Sequence, residues 1–170
     1  MVRSCIVVGT EYEIACAVRS DGSSPARELL DLLKVGEWAD DPDVERVPDP
    51  EQVRDYHRLI DMMRTLATAG EPERQRDVRY LRDGLWEFAV GAKRLVFYDT
   101  DGRGAFTPKP RIQDKGHAPY PDTEFWWFPL MDRQLRLANY WPKVSEKADP
   151  IDIEEAIKIR EEDLRYDKED

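Results

Sequence analysis

Cysteine is scarce in this 170-residue chain, and Cys5 and Cys16 are the only two. They lack C-x-x-C spacing, so neither a disulfide framework nor a zinc site is expected, and a reduced, cytoplasmic setting is the default. The two histidines, His57 and His117, have no companion cluster of carboxylates, so no metal and no cofactor is expected. No stretch approaches the roughly 18 unbroken apolar residues of a membrane span. No apolar leader with a cleavage site opens the chain, so no membrane partner is expected. A Gly-rich phosphate loop and a G-x-S-x-G elbow are both missing, which argues against nucleotide hydrolysis and serine-esterase chemistry.

Positive charge is also in short supply. The net charge is −10, and an acidic protein repels nucleic acid at long range. The deficit is uneven. Residues 1–74 hold 9 basic and 16 acidic side chains, residues 75–147 hold 13 and 10, and residues 148–170 hold 4 and 10. Only the middle stretch could meet phosphate.

What is present reads as one α+β domain spanning residues 1–170. In "EYEIACAVRSDG" Tyr12, Ile14, Cys16 and Val18 alternate, which predicts a strand closed by a turn at Asp21-Gly22. "CIVV" before it is an added strand or a leader. Ser23, Ser24 and Pro25 start a helix whose apolar side is Leu29, Leu30, Leu32 and Leu33, running to about Trp38. After the acidic, Pro-marked connector 39–50, Asp49-Pro50 opens a second helix. Its apolar side is Val53, Tyr56, Leu59, Ile60, Met63 and Leu66, and Gly70 and Pro72 end it. Three strands follow, Val78–Leu81, Leu85–Val90 and Lys93–Asp99, with turns at Asp83-Gly84 and Gly91-Ala92. Residues 104–133 carry five prolines between Pro108 and Pro129 and no clear period, and read as an inserted aromatic, Pro-rich loop. Its apolar run Phe125 to Met131 could cover the sheet, cover a groove or hold a partner, and covering the core is the first expectation. "LRLANYW" is another strand. The last helix, 149–164, turns Ile151, Ala156, Ile157 and Leu164 inward, and 165–170 form an acidic tail.

Four segments in order, "RSDGSSPARELLDLL", "LRDGLWEF", "KRLVFYD" and "LRLANYWPKVSEKADPIDIEEAIKIREED", resemble the HigB-like branch of the RelE/ParE toxin superfamily. The resemblance spans Glu11 to Leu164 apart from the insertion. Arg94 sits where that family carries a hairpin arginine, and Pro150 to Ala156 matches its "P..EIE.A" helix. The resemblance implies a RelE-like fold: an N-terminal strand and two helices, an antiparallel sheet of about four strands, and a C-terminal helix. It also implies a toxin of a type II toxin–antitoxin pair, a metal-independent endoribonuclease that cuts mRNA at the ribosome. The partners would be mRNA, the ribosome and a cognate antitoxin, a helix-turn-helix protein.

In such an enzyme a ribose 2′-hydroxyl attacks the adjacent phosphate, and cations must stabilise the crowded phosphorane. Arg94, Lys143 and Arg82 are the candidate catalytic cations, and Tyr98 and Tyr140 the candidate proton carriers. Arg79, Lys93, Arg136 and Lys147 are candidate RNA contacts. His117, in the insertion, could serve as a base, while His57 reads as a helix-surface residue. The chain departs from the family in four places. One lysine, not a pair, follows Pro142; Phe88 or Ala89 replaces a strand arginine; a tyrosine near the start of the last helix is missing, with Asp149, Ile151 and Asp152 in that stretch; and the net charge is acidic. A non-catalytic RelE-fold binding module, phage-derived or accessory, is therefore the second expectation.

Overall fold

The computed structural model describes residues 2–39, 48–112, 126–142 and 148–169. The expected α+β architecture is present. Strand β1 is Cys5–Val8 and β2 is Glu13–Cys16. Helices α1, Pro25–Val35, and α2, Pro50–Ala69, follow. A short 3-10 turn at Gln75–Asp77 leads into β3, Val78–Tyr80, β4, Trp86–Val90, β5, Lys93–Thr100, and β6, Gln134–Pro142. Helix α3, Pro150–Glu169, comes last.

The helix boundaries follow their local chemistry. Ser24 is extended and Pro25 takes the first helical position, where the missing N–H costs nothing. Helix α1 stops three residues short of the expected Trp38. Gly36 turns left-handed there (φ 74°), donating to the Leu32 and Leu33 carbonyls. A Cβ at Gly36 would also meet the Asp49 carbonyl oxygen at 2.6 Å, so the end of α1 is fixed against the start of α2. The Asp49 side chain caps α2 by accepting from the Glu51 amide.

The sheet differs from the four antiparallel strands expected. It has six, in the order β1-β2-β6-β5-β4-β3, and it is mixed. "CIVV" forms an edge strand antiparallel to β2, while β2 runs parallel to β6 with Ile14 opposite Leu135. Parallel neighbours need a long connection, and here α1, α2 and the β3–β5 meander provide it. The two-residue turn Gly91-Ala92 sets the β4–β5 register, with Val90 opposite Lys93 and Ala89 opposite Arg94.

The sheet separates two cores. On one face α1 and α2 pack against Ile14, Phe88, Phe97 and Leu137. On the other, α3 packs against Leu85, Val96, Tyr98, Ala138 and Trp141. A register shift in the β5–β6 pairing, between Leu95 and Phe97, lets Ala138 and Trp141 share the α3 face while Leu137 and Tyr140 turn to the other. The described part of the insertion covers the sheet, as its apolar run suggested. Trp126 and Phe128 pack on Trp86, whose Nε1 donates to the Lys109 carbonyl.

Two expectations about the last helix fail. Ile151 is 73 % exposed, whereas Ala156 is buried and Ile157 and Leu164 pack half-buried on the same core, as expected; the buried stripe is Ile153, Ala156, Ile159, Arg160 and Asp163. That stripe keeps i, i+3, i+7 spacing but completes itself with charged residues, so apolar residues alone misplace it. The acidic run after residue 164 is not a tail: α3 continues through Glu169.

Candidate functional site

Strand alternation decides which candidate residues can act together. Successive side chains on a strand point to opposite faces, so Lys93 and Arg94 cannot share a site. Lys93 turns toward α2, where its Nζ pairs with Asp55 at 2.7 Å and stands 5.9 Å over the Trp38 ring. Tyr140 is on that same face, edge-on to Trp38. Arg94 turns to the α3 face.

There Arg94 is 5 % exposed and tightly held. Its Nη1 donates to the Gly91 and Lys93 carbonyls at 2.8 and 2.9 Å, clasping the hairpin turn from within. Its Nε lies 3.7 Å from Glu87, itself 5 % exposed. Burial pulls the Arg94 guanidinium below its ordinary pKa, and Glu87 works against that shift. Arg79 faces solvent on β3, directly opposite Glu87, and its charge adds to the lowering. Asn139 faces α3 from the same side of the sheet. Its Nδ2 donates to the Asp152 carbonyl in the first turn of α3, and its Oδ1, although buried, has no partner among the described residues. The Arg94 patch thus holds a fixed cation with a carboxylate beside it. It could bind an anion and move a proton.

Two expected site residues lie elsewhere on this face, in a closed network. Asp163, 0 % exposed, accepts from the Tyr98 hydroxyl at 2.6 Å, from Arg136 at 2.7 Å, from Arg3 at 2.8 Å and from the Val18 amide at 2.9 Å. Asp167 adds a second carboxylate to both arginines. Burial, then the Asp163 charge, holds the Tyr98 hydroxyl well above its usual pKa, so it keeps its proton at neutral pH and donates it to Asp163. Arg136 is buried under two carboxylates and is not offered to RNA. These two residues hold α3 to the sheet; the expectation of a proton carrier and an RNA contact is corrected to that role.

Arg82 does not join Arg94 either. It lies on the β3–β4 loop, at the opposite end of β4 from the Gly91 turn, half-exposed and 3.7 Å from Asp83. Lys143, Lys147 and His117 lie outside the described residues; Pro142, just before Lys143, pairs with Lys93. His57 is exposed on α2, as its place in the helix suggested.

Glu87 and Asn139 are the residues that the sequence reading missed. A single carboxylate inside the aromatic run "LWEFAV" was the available signal for Glu87. Asn139 gave none, because its direction depends on the β6 irregularity. Among the described residues no group of His, Cys, Asp and Glu could hold a metal, and no helix is long and apolar enough to cross a membrane. Comparison with protein-family models, curated proteins and solved structures finds no match to this chain.

Proposed function

We propose that the chain is a RelE/ParE-type toxin with a RelE-like fold that cuts mRNA at the ribosome without a metal. The observation that carries this reading is the buried Arg94–Glu87 pair at the end of the central hairpin, a fixed cation beside a carboxylate. In this reading the ribose 2′-hydroxyl gives its proton to Glu87 and attacks the adjacent phosphorus. The bond to the 5′ oxygen breaks, that oxygen takes a proton from water, and a 2′,3′-cyclic phosphate remains. Arg94 faces the charge of the phosphorane, where a preorganised donor acts most strongly. Arg79 and Lys143 add charge for the RNA backbone, and the antitoxin acts by covering this face.

The test is growth after induced expression, with transcript 5′ ends mapped for the wild type, Arg94→Ala, Glu87→Gln and Lys143→Ala. Arrest with new 5′ ends, lost in the first two variants, supports the reading. Arrest that survives them removes the assigned residues.

The second reading, a non-catalytic binding module of the same fold, is favoured by one observation. Arg94 Nη1 is already spent on two carbonyls, and little of the side chain reaches solvent. Normal growth with soluble, folded protein selects it.

A further inference from the structure

On the other face of the sheet from Arg94, beyond the end of α2, lies a groove of about 200 Å³. Trp126, Trp127 and Phe128 line it together with Pro72, Glu71 and Glu73. Its aromatic wall is fixed from behind. Trp126 and Phe128 pack on Trp86 with ring centres 5.8 and 5.0 Å apart. Trp127 exchanges both backbone hydrogen bonds with Ile112, and Gln75 Nε2 donates to the Trp126 carbonyl.

The charged residues that line the groove are both acidic, Glu71 and Glu73. Helix α2 has no basic residue in its last turn, so nothing on the helix offsets the partial negative charge of its C-terminal end. Glu71 and Glu73 follow immediately and are exposed. Two arginines are nearby. Arg74 lines the adjoining hollow with Glu73, and the Arg111 guanidinium stands 5.9 Å over the Trp126 ring. That contact is an example, within this protein, of the wall accepting a planar cation.

Aromatic faces backed by carboxylates select for cations: the ring quadrupole and the acids attract the same charge. An anion would meet two carboxylates, and a neutral apolar group would leave them without a partner.

We propose that this groove receives an arginine side chain from a basic segment of a partner protein. The aliphatic stem lies along the aromatic wall and the guanidinium meets Glu71 and Glu73, the division usual for long cationic side chains. Arginine suits it better than lysine because its planar head both stacks on a ring and forks onto a carboxylate. The site is independent of the nuclease reading.

The test titrates the full chain with the peptide Gly-Arg-Arg-Gly and follows backbone and indole N–H signals by NMR. Saturable shifts centred on Trp126, Trp127 and Gln75 are expected. Affinity should fall roughly fivefold in Trp127→Ala and in the pair Glu71→Gln with Glu73→Gln, and Gly-Lys-Lys-Gly should bind more weakly. A control pair on α3, Glu154→Gln with Glu161→Gln, removes the same charge from exposed positions elsewhere and should leave binding unchanged. The proposal is overturned if no saturable binding occurs, if the shifts centre elsewhere, or if the groove variants bind like the wild type. It is equally overturned if the α3 pair weakens binding as much, since overall charge would then explain it. Equal or tighter binding of the lysine peptide overturns the assignment to arginine.

Discussion

The face of the sheet under α3 carries two ionic clusters of similar composition and opposite character. Around Asp163, two arginines, a tyrosine and a backbone amide fill a fully buried carboxylate, and Asp167 pairs with both arginines as well. Around Arg94, the nearest carboxylate is 3.7 Å away and the guanidinium leans on turn carbonyls. Burying charge is costly unless every lone pair and proton is used. The first cluster fills its central carboxylate with four donors, leaves only the Arg136 Nε without a partner among the described residues, and reads as a fastener. The second sets its guanidinium 3.7 Å from the carboxylate of Glu87 and is the looser of the two.

The comparison breaks first at Asp163. Asp163→Ala leaves buried Arg136 and half-buried Arg3 with Asp167 as their remaining carboxylate, takes the acceptor from the Tyr98 hydroxyl and the Val18 amide, and should cost about 3–5 kcal/mol, a large share of the roughly 5–15 kcal/mol that holds a domain folded. Urea unfolding checks it, and a loss no greater than that of Arg94→Ala would remove the distinction. Arg94→Ala removes two hydrogen bonds to the turn and should cost about 1–2 kcal/mol. If the cluster is a site, the same change lowers RNA cleavage by about 100-fold or more, measured on protein shown to be folded. Tyr98→Phe removes one donor of four from Asp163 and should cost about 1 kcal/mol with no effect on cleavage. A specific loss of cleavage there would return Tyr98 to the chemistry.

The smallest effect concerns pH. Hydrogen bonds from Arg19 hold Glu162 down to about 2 against a usual 4.5. The unfolded chain then binds more protons than the folded one between those values. Stability from this contact is therefore present above about pH 4.5 and lost as pH falls toward 2. Glu162→Gln should flatten the acid limb of the stability curve slightly, read by thermal unfolding from pH 5 to 2. An unchanged slope would mean that this partly exposed pair contributes nothing.

Local signals were legible in the sequence. Pro25, Gly36, Asp49-Pro50 and Gly70 mark helix ends through their own backbone needs, and Gly91-Ala92 marks the hairpin. The parallel pairing of β2 with β6 was not legible, because nothing in "EIAC" names a partner 121 residues away. Of the site, Arg94 was legible as a hairpin residue. The alternation of Leu135, Arg136 and Leu137 shows that Arg136 points to the other face. It does not show that α3 brings Asp163 there. Asp163 itself sits in "REEDLR", which reads as a solvated helix surface, and only tertiary packing distinguishes it from its neighbours.

The Asp163 network also orders events in time. Arg3 and Asp163 are 160 residues apart, and β2 must await β6 for its parallel partner. On the ribosome the first strands emerge early, with Ile14 and Cys16 uncovered and one edge of β2 unpaired. Contacts this distant in sequence form late and slowly, because the loop between them must close first. Until β6 has been synthesised, the growing chain offers a strand edge at β2 that its own parallel partner cannot yet cover. That interval is when it depends most on chaperones.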